Sequence, residues 1–519
     1  MALANTFIFP MNFVHIYLIT LVVLFFHHEV HSDEEPFIVP ERDLSKPDVC
    51  YHPYACFFKS DFFDPFFRQL AGLPHRPEEI DVEFLLFTRK NPGSAFHIHY
   101  SDDIKKLRES NFNPEHPTVF IIHGWVTEFK TTLWSGETKE SFIRQYDVNV
   151  VGVNWKKGAQ HNNYVQAVAN SRLASLMVAK FIRELCEEYD YSPKNIWLIG
   201  HSIGAHIAGF IGKNFTTSEE RIGRITALDP AGPFFRYSDP SKRLDKNDAT
   251  YLETISTDVA SNGLAGCGTD MDLGQIEIFI NGGSKQPGCS MKQQHDKGVS
   301  WLGAAACSCN HGRITQIIPE RFEEFAEKCQ LVAYKCDNYK DFQAGKCADC
   351  GPNNSKCALM SLQLEPNRNA EYGKYYVDTS ASSPFCVNHY AVSINIKSDQ
   401  KTIGGKIRVK LVFDDSSDGP EAVVSGGFIK SGEELSTLIT TELDPRPISY
   451  AEVYWDINAM GVMTNAVRRK KVESMMINKI TVQAMSFMDP AKRAELSIVL
   501  CPGQEEIKSN EAIAFFPCE

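Results

Sequence analysis

The stretch WLIGHSIGAH, residues 197–206, decides the fold. An apolar run leads into Ser202, which stands between Gly200 and Gly204, and the residues from 204 to 213 can continue as a helix. Gly-x-Ser-x-Gly between a strand and a helix is the pattern of a nucleophile elbow, a sharp turn that presents a serine hydroxyl at the carboxyl end of a parallel sheet. The stretch therefore predicts an α/β fold with Ser202 as nucleophile. An ordinary strand-to-helix turn is the alternative.

Short apolar runs that end in turn residues alternate with helix-like segments between about 80 and 320. In the segment 164–189, apolar residues recur every three to four positions, as an amphipathic helix requires. Strand, helix and strand at this spacing predict a mostly parallel sheet with helices on its faces. From about 387 the sequence pattern changes to short runs in which apolar and polar residues alternate, separated by turn residues. This pattern predicts an antiparallel β-sandwich.

The N-terminus has an uncharged apolar run, Phe13–Phe26, that is short for a membrane span and typical of a secretory leader. We therefore predict a signal peptide over 1–32 and a secreted, extracellular protein; the lack of Lys or Arg before the run keeps a signal anchor as the alternative. Residues 33–378 are predicted to form an α/β-hydrolase domain, with a cysteine-rich linker at 329–378. Residues 379–519 are predicted to form the β-sandwich domain.

The chain has 15 cysteines, which after such a leader indicate disulfides, and the odd number leaves at least one outside an intramolecular pair. The CADC stretch at 347–350 lacks a second ligand pair for zinc. Two sequons, at Asn214 and Asn353, are candidate glycosylation sites in a secreted chain. The formal net charge of -12 argues against a nucleic-acid partner.

A serine nucleophile needs a base, and the base needs an acid that orients it. In this fold the chain order is serine, acid, histidine. Asp229 ends the apolar run that follows Ser202 and is the favoured acid. Asp258, which ends the next run, is the alternative.

Three histidines follow the favoured acid, and chain order makes them the candidate bases. His311 directly follows the cysteines of CSCN, and a disulfide there would hold an imidazole in place. His295 lies in a polar loop, where an exposed surface role is the simpler interpretation. His389 belongs to the predicted sandwich. We therefore predict His311 as the base.

An oxyanion hole is the second requirement, and in this fold it uses the N–H after the nucleophile and one from an earlier strand-end loop. The first is the N–H of Ile203. The stretch FIIHGWV at 120–126 supplies the loop, and the N–H of Trp125 is the natural second donor. An ordinary turn at this position is the alternative.

With these residues assembled, the chain resembles the pancreatic lipase family of secreted α/β-hydrolases. The matching pieces run in order from about residue 50 to the end: VCYHPYAC, FIIHGW, GVNWKKGA, YVQAVANSRLASLMV, YSPKNIWLIGHSIGAH, ITALDPAGPFF, INGGSKQPGC, CSCNHGR and CDNYKDFQAGKCADC. The resemblance implies Ser202, Asp229 and His311 as a catalytic triad. It implies that the C-terminal domain is of the PLAT type, a C2-like sandwich.

The resemblance also implies a set of disulfides: Cys50–Cys56, Cys289–Cys309, Cys336–Cys347, Cys350–Cys357 and Cys501–Cys518. The loop closed by Cys289 and Cys309 would be a lid over the active site. Cys307 leaves that assignment open, and Cys267 is then a candidate partner for Cys307. The partners of Cys186, Cys329 and Cys386 stay open.

Family members often carry a structural calcium ion, although the chemistry itself needs no cofactor. Asp245, Asp248 and the carbonyl of Arg243 occupy the matching positions. Pro240 stands where a Glu ligand is expected, and the adjacent Asp239 is a candidate replacement. A solvated acidic turn is the alternative to a calcium site.

The resemblance favours a triacylglycerol lipase that acts at a lipid–water interface on acylglycerols. Phospholipase-selective members of the family resemble versions with a shortened lid loop and a shortened segment 234–243, whereas this chain keeps both. Trp301 and Leu302 in that loop are candidate interface contacts. A phospholipase A1 is the runner-up, and a non-catalytic lipid-binding or yolk-type protein is the alternative from another class. The basic run RRKK at 468–471 is a candidate site for a polyanion such as heparan sulfate or for an anionic lipid surface, with a solvated loop as the simpler interpretation. A protein cofactor on the C-terminal domain is a further candidate partner.

Overall fold

The computed structural model describes the residues between Pro47 and Cys518 with gaps, and these residues belong to one compact unit, Pro47–Glu519. The described ranges are 47–59, 72–130, 133–160, 163–259, 266–290, 304–320, 328–360, 363–397, 402–414, 418–425, 428–442, 445–456, 474–504, 506–508 and 510–518. Several predicted features lie outside them: the predicted signal peptide at 1–32, the basic run at 468–471, and His295, Trp301 and Leu302. In the described part, no helix combines the length and the apolar character that a bilayer span requires.

Strands and helices alternate through the first two thirds of the chain. The strands of this part are β1 Val49–Tyr51, β2 Ala55–Phe57, β3 Glu83–Phe87, β4 Phe96–His99, β5 Thr118–Ile122, β6 Asn149–Asn154, β7 Ile196–His201, β8 Arg224–Leu228, β9 Tyr251–Ser256, β10 Ile276–Ile280, β11 Val332–Lys335, β12 Cys357–Leu359 and β13 Gly373–Val377. The helices are α1 Pro77–Ile80, α2 Trp134–Gln145, α3 Lys156–Ala159, α4 Tyr164–Tyr189, α5 Ile203–Gly212, α6 Ala304–Ile317 and α7 Tyr339–Gln343.

Eleven of these strands form one sheet in the order β12-β11-β13-β10-β9-β8-β7-β5-β6-β3-β4. Its centre, from β6 through β5, β7, β8 and β9 to β10, is parallel, while β3, β4, β11 and β12 pair antiparallel at the edges. The central strands are buried along their length, as is usual for a parallel sheet with helices on both faces. The carboxyl ends of β5, β7 and β8 therefore meet at one edge of the sheet.

The long helix α4 covers one face of this sheet and follows directly from its sequence. Asn163 caps its first turn by accepting a hydrogen bond from the Val165 N–H at 3.0 Å. Its buried side chains recur along one face, and Asp190, in left-handed backbone with φ 50°, ends it. The amphipathic period of 164–189 thus predicted this helix with its observed bounds.

The C-terminal third is antiparallel. Its elements are β14 Asn388–Lys397, β15 Thr402–Gly404, β16 Lys406–Phe413, β17 Asp418–Ser425, β18 Phe428–Lys430, β19 Glu434–Thr441, β20 Ile448–Asp456, β21 Ser474–Ala484, α8 Pro490–Glu495, β22 Ile498–Pro502, β23 Ile507–Lys508 and β24 Ala512–Pro517. The main sheet path is β17-β16-β20-β24-β22-β21-β14-β19, around a core of its own. The predicted fold class, an α/β sheet followed by an antiparallel β-sandwich, is confirmed.

The cysteine-rich segment 329–378 differs from its prediction as a linker. Its strands β11, β12 and β13 belong to the large sheet, because their apolar side chains pack into buried clusters. The same segment also holds the antiparallel part: the Tyr334 hydroxyl donates to the Met485 carbonyl at 2.7 Å, and the Gln483 amide donates to the Ala348 carbonyl at 2.8 Å. The segment 329–378 therefore packs against both the large sheet and the antiparallel part and is not a free linker.

The structure contains all five disulfides that the resemblance implies. It adds Cys329–Cys386, which closes a loop with a sequence separation of 57, and it leaves Cys186 as a free thiol. Cys267 is disulfide-bonded. The side chain of Cys307, its candidate partner, lies outside the described residues.

The long-range disulfide Cys329–Cys386 should contribute more stability than the short-range Cys350–Cys357. Their sequence separations are 57 and 7, and a longer closed loop removes more entropy from the unfolded chain. Replacing the first pair by alanine should lower the free energy of unfolding by about 2 kcal/mol more than replacing the second. Urea denaturation followed by tryptophan fluorescence measures both; equal losses would contradict the entropic argument.

Candidate active site

Ser202 lies in the turn between β7 and α5 with φ 58° and ψ -120°, a region of backbone conformation that a serine rarely adopts. Its N–H donates to the carbonyl of Leu228 at the end of β8, at 3.0 Å. This bond holds the strained turn against the neighbouring strand. The elbow predicted from the sequence is therefore present, with the serine at the carboxyl edge of the sheet.

The two flanking glycines are required by close approach of the backbone. A Cβ atom on Gly200 would lie 2.2 Å from the Gly204 carbonyl oxygen, and one on Gly204 would lie 2.4 Å from the Ile122 carbonyl oxygen. Both contacts are with backbone, which cannot move aside without opening the turn. The glycines let β5, β7 and α5 meet closely enough to form the site.

Ser202, His311 and Asp229 form one chain of hydrogen bonds. The Nε2 atom of His311 lies 2.8 Å from the Ser202 Oγ atom, and its Nδ1 atom lies 2.5 Å from the Asp229 Oδ2 atom. A proton on Nδ1, held by the carboxylate, leaves Nε2 as an acceptor for the serine hydroxyl. The structure thus brings together the three residues that the sequence singled out, although 109 residues separate Ser202 from His311.

Asp229 is fully buried at the end of β8. Its Oδ1 atom accepts the backbone N–H groups of Thr257 at 2.9 Å and Asp258 at 3.1 Å, so that Oδ2 is left to face the imidazole. The backbone of Gly268 packs closely against the carboxylate, since a Cβ atom on this residue would lie 2.7 Å from Oδ1. Hydrogen bonds and packing therefore fix the orientation of this acid.

Asp258, the alternative acid, lies beside the triad without replacing Asp229. One carboxylate oxygen of Asp229, one of Asp258 and one ring nitrogen of His311 all lie within 4.8 Å of one another. The Oδ2 atom of Asp258 accepts the Cys267 N–H at 2.8 Å, and burial raises the pKa of this carboxyl to about 6. Since the imidazole Nδ1 is hydrogen-bonded to Asp229, the geometry favours Asp229 as the orienting acid.

His311 lies on helix α6, two residues after Cys309, whose disulfide to Cys289 anchors the start of this segment. The sequence predicted the anchor but not the helix. His389, another candidate base, lies on β14 and is buried there, where its Nε2 atom accepts the Asp378 N–H at 3.1 Å. It takes no part in the site.

The loop after β5 carries the predicted oxyanion donor of Trp125. The Gly124 carbonyl lies 2.9 Å from His123 Nδ1 and accepts the Thr127 hydroxyl at 2.8 Å. Because the peptide is planar and trans, the Trp125 N–H points away from these two donors. Ile203 is the first residue of α5, so its N–H is one of those that have no acceptor within a helix.

His123 has a role that sequence reasoning missed. It is buried, its ring stacks on that of Trp155 at 5.6 Å, and its Nε2 atom accepts the Trp155 N–H at 3.2 Å. Burial lowers the pKa of His123 to about 4, so the ring is neutral near pH 7 and donates from Nδ1 to Gly124. A histidine beside a glycine at a strand end was the available signal.

Aromatic side chains extend from the oxyanion loop. The rings of Trp125 and Tyr164 meet edge to face at 5.1 Å, and those of Tyr164 and Phe234 lie 5.9 Å apart. Val126 follows Trp125 in the sequence and Tyr237 lies three residues after Phe234; these two side chains are 54% and 57% exposed. Exposed apolar side chains beside a site are the kind of surface that binds a lipid interface.

The loop predicted to hold calcium is occupied by cationic side chains of this chain. The Asp248 carboxylate, buried, lies 2.5 Å from the Lys213 Nζ atom through Oδ1 and accepts the Asp245 N–H at 2.8 Å through Oδ2. The Arg243 guanidinium lies 3.4 Å from Asp245 Oδ2. A calcium ion takes six to eight oxygen ligands, and in this arrangement the residues do not fit one, because Lys213 would have to leave Asp248.

Of the predicted glycosylation sites, Asn353 is exposed with φ 52°. The side-chain amide of Asn214 donates to the Phe210 carbonyl at 2.8 Å. Glycosylation at either residue stays a prediction.

Replacing Gly124 by alanine should disable the site, because the new Cβ atom would lie 2.9 Å from Ser202 Cβ and 3.0 Å from the His201 carbonyl oxygen. We expect labelling of Ser202 by a fluorophosphonate to slow by roughly 100-fold. Gly312→Ala is the matched control, since its Cβ atom would have nothing within 4 Å apart from its own helix and chain neighbours. Equal labelling of both variants would contradict the contact between Gly124 and the nucleophile.

The melting temperature of the wild-type protein should be the same in EDTA and in calcium, because Lys213 already neutralises Asp248. Lys213→Met should lower stability by about 3 kcal/mol, since it leaves a buried carboxylate without its cation. Differential scanning calorimetry measures both effects. A rise of the wild-type melting temperature with calcium would mean that the ion displaces Lys213.

Comparison with known proteins identifies the family of this chain. A protein-family model named Lipase matches residues 48–385. Inactive pancreatic lipase-related protein 1 of Homo sapiens is 30% identical over 91% of this chain and 96% of its own length. Pancreatic triacylglycerol lipase of Cavia porcellus is 28% identical over 82% of this chain and 90% of its own, and Lipase member H of Danio rerio is 32% identical over 71% and 77%. The chain belongs to the lipase family.

Proposed function

We propose that this protein is a secreted lipase that hydrolyses the carboxylic ester bonds of acylglycerols through an acyl-enzyme intermediate. The observation that carries the proposal is the chain of hydrogen bonds from Ser202 Oγ through the His311 imidazole to Asp229, at 2.8 and 2.5 Å. These distances let the serine give up its proton without a large movement of the base.

The mechanism follows from these positions. His311 Nε2 takes the proton of Ser202 as Oγ attacks the ester carbonyl carbon, and the carbonyl oxygen becomes an oxyanion that the N–H groups of Trp125 and Ile203 stabilise. The C–O bond to the alcohol then breaks, and the imidazolium gives its proton to the leaving alcohol. Water then attacks the acyl carbon while His311 takes one of its protons, the bond from that carbon to Ser202 Oγ breaks, and the imidazolium returns the proton to Oγ as the fatty acid leaves. Asp229 stabilises the imidazolium throughout.

Family membership alone does not decide activity, because the names of the relatives include both an inactive protein and a triacylglycerol lipase. The presence and geometry of all three triad side chains favour an enzyme. A non-catalytic lipid-binding protein would need neither the strained backbone of Ser202 nor a buried acid directed at His311.

Triacylglycerol is the proposed substrate class. The loop between Cys289 and Cys309 spans a sequence separation of 20, and the segment 234–243 is retained, both of which favour neutral lipid. The exposed side chains of Val126 and Tyr237 support contact with a lipid–water interface. Phospholipase A1 activity is the second candidate. The chemistry requires no cofactor.

Secretion is supported by the disulfides, which persist in oxidising compartments. A polyanion or a protein cofactor on the antiparallel C-terminal part stays a candidate partner. The basic run from 468 to 471 that motivates this candidate lies outside the described residues.

Replacement of the triad residues should abolish turnover. Ser202→Ala should lose fluorophosphonate labelling and reduce ester hydrolysis by roughly 10⁶-fold, and His311→Gln should behave alike, because the two groups act as one unit. Asp229→Asn should reduce kcat by about 10⁴-fold, since it stabilises the wrong tautomer. Folded wild-type protein that takes up no label and hydrolyses no ester would overturn the enzyme assignment.

Triacylglycerol should be hydrolysed faster than phosphatidylcholine by the purified protein. Emulsions of both lipids are compared by titration of released fatty acid, with Ser202→Ala as the blank. A higher rate on phosphatidylcholine would favour phospholipase A1 and contradict the substrate proposed here.

A further inference from the structure

The imidazole of His201, the residue before the nucleophile, contacts the helix that carries the base. The ring is buried, and its Nε2 atom lies 3.2 Å from the main-chain carbonyl oxygen of His311. The centroid of the ring lies 4.9 Å from that of the His311 ring and 5.9 Å from that of Trp134, which meets it edge to face. His201 thus fills the space between the base and helix α2.

The tautomer of His201 follows from its partner. A carbonyl oxygen can only accept, so Nε2 carries the hydrogen. The Nδ1 atom is buried and finds no hydrogen-bond partner among the described residues. Burial, reinforced by the nearby His311, lowers the pKa of His201 to about 3, and the ring is therefore neutral near pH 7. A single directed bond, Nε2–H to the His311 carbonyl, remains.

We propose that His201 is a positioning residue for the ester hydrolysis proposed above: its bond to the His311 carbonyl sets the distance between the nucleophile elbow and helix α6. This inference rests on the proposed function. His201 adjoins Ser202 in the chain and moves with it, whereas His311 belongs to another element. The bond therefore joins the main chain of the base directly to the backbone that carries the nucleophile.

Among the described residues, other bonds also hold helix α6, but they do not reach the elbow: Asn310 Oδ1 accepts the Gln286 N–H at 3.0 Å, and Arg313 donates to the Ala381 carbonyl at 2.7 Å. The Asp229 bond orients the imidazole ring, and the Cys289–Cys309 disulfide anchors the chain two residues before the base. Neither contact ties the backbone of His311 to the elbow. A shift of helix α6 by about 1 Å would lengthen the Ser202–His311 bond, and misplacement of that size can reduce a rate by about 100-fold.

Three substitutions separate the bond from the bulk of the ring. His201→Phe keeps a ring and removes the donor. His201→Gln places its amide nitrogen the same number of bonds from Cα as Nε2, whereas His201→Asn places it where Nδ1 stands. We expect His201→Phe and His201→Asn to fold with a kcat roughly 10- to 100-fold below wild type and a nearly unchanged KM, and His201→Gln to recover most of the loss.

Circular dichroism and the melting temperature establish that each variant is folded, and kcat and KM are measured on a soluble short-chain ester. A wild-type kcat in His201→Phe, or an equal loss in His201→Phe and His201→Gln, would overturn the positioning role and leave only packing.

A second measurement does not depend on turnover. The downfield proton NMR signal of the His311 Nδ1–H, held by Asp229, should persist in the wild type and His201→Gln and should broaden or shift in His201→Phe. An unchanged signal in His201→Phe would overturn the inference. If the wild-type protein hydrolyses no ester, the proposed function is overturned. The NMR signal would still show whether the His201 bond holds the backbone of His311 in place, because it is measured without turnover.

Discussion

Close contact between backbones at the carboxyl edge of the parallel sheet is the constraint on which the site depends. At this edge, Gly200 and Gly204 allow β5, β7 and α5 to approach without intervening side chains, and Ser202 is held in left-handed backbone between them. The strain of that turn is offset by hydrogen bonds and packing from its neighbours, including the bond to the Leu228 carbonyl. The other parts of the site are arranged around the position that this turn gives Ser202.

Buried histidines support this edge without titrating near neutral pH. His123 donates to the Gly124 carbonyl beside the predicted oxyanion donor, and His201 contacts the main-chain carbonyl of His311, the predicted base. Burial keeps both rings neutral, so each offers one donor in a fixed direction. The imidazole of His311 thus lies between the buried carboxylate of Asp229 and the neutral ring of His201.

The opposite edge of the sheet is held by a buried ion pair. Arg224, at the start of β8, donates to the Glu253 carboxylate on β9 and lies over the Trp197 ring on β7 at 3.8 Å. Glu253 also accepts the Thr226 hydroxyl at 2.6 Å. These contacts join the three strands whose far ends carry Ser202, Asp229 and the loop around Asp258. Contacts at the amino ends of these strands therefore hold the strands in register, and this fixes the relative positions of the site residues at their carboxyl ends.

The sequence by itself determined the elements and the principal chemistry. Hydrophobic period and turn residues predicted α4 and the strands around it, and the Gly-x-Ser-x-Gly pattern with chain order singled out Ser202, Asp229 and His311, because these signals are local. Only the tertiary structure decided what depends on contacts between distant segments. It decided that 329–378 is part of the sheet, that Lys213 faces Asp248 where calcium was expected, and that His201 meets the backbone of His311. A sequence pattern gives no distance between side chains that lie far apart in the chain, and such distances decide which donor reaches which acceptor.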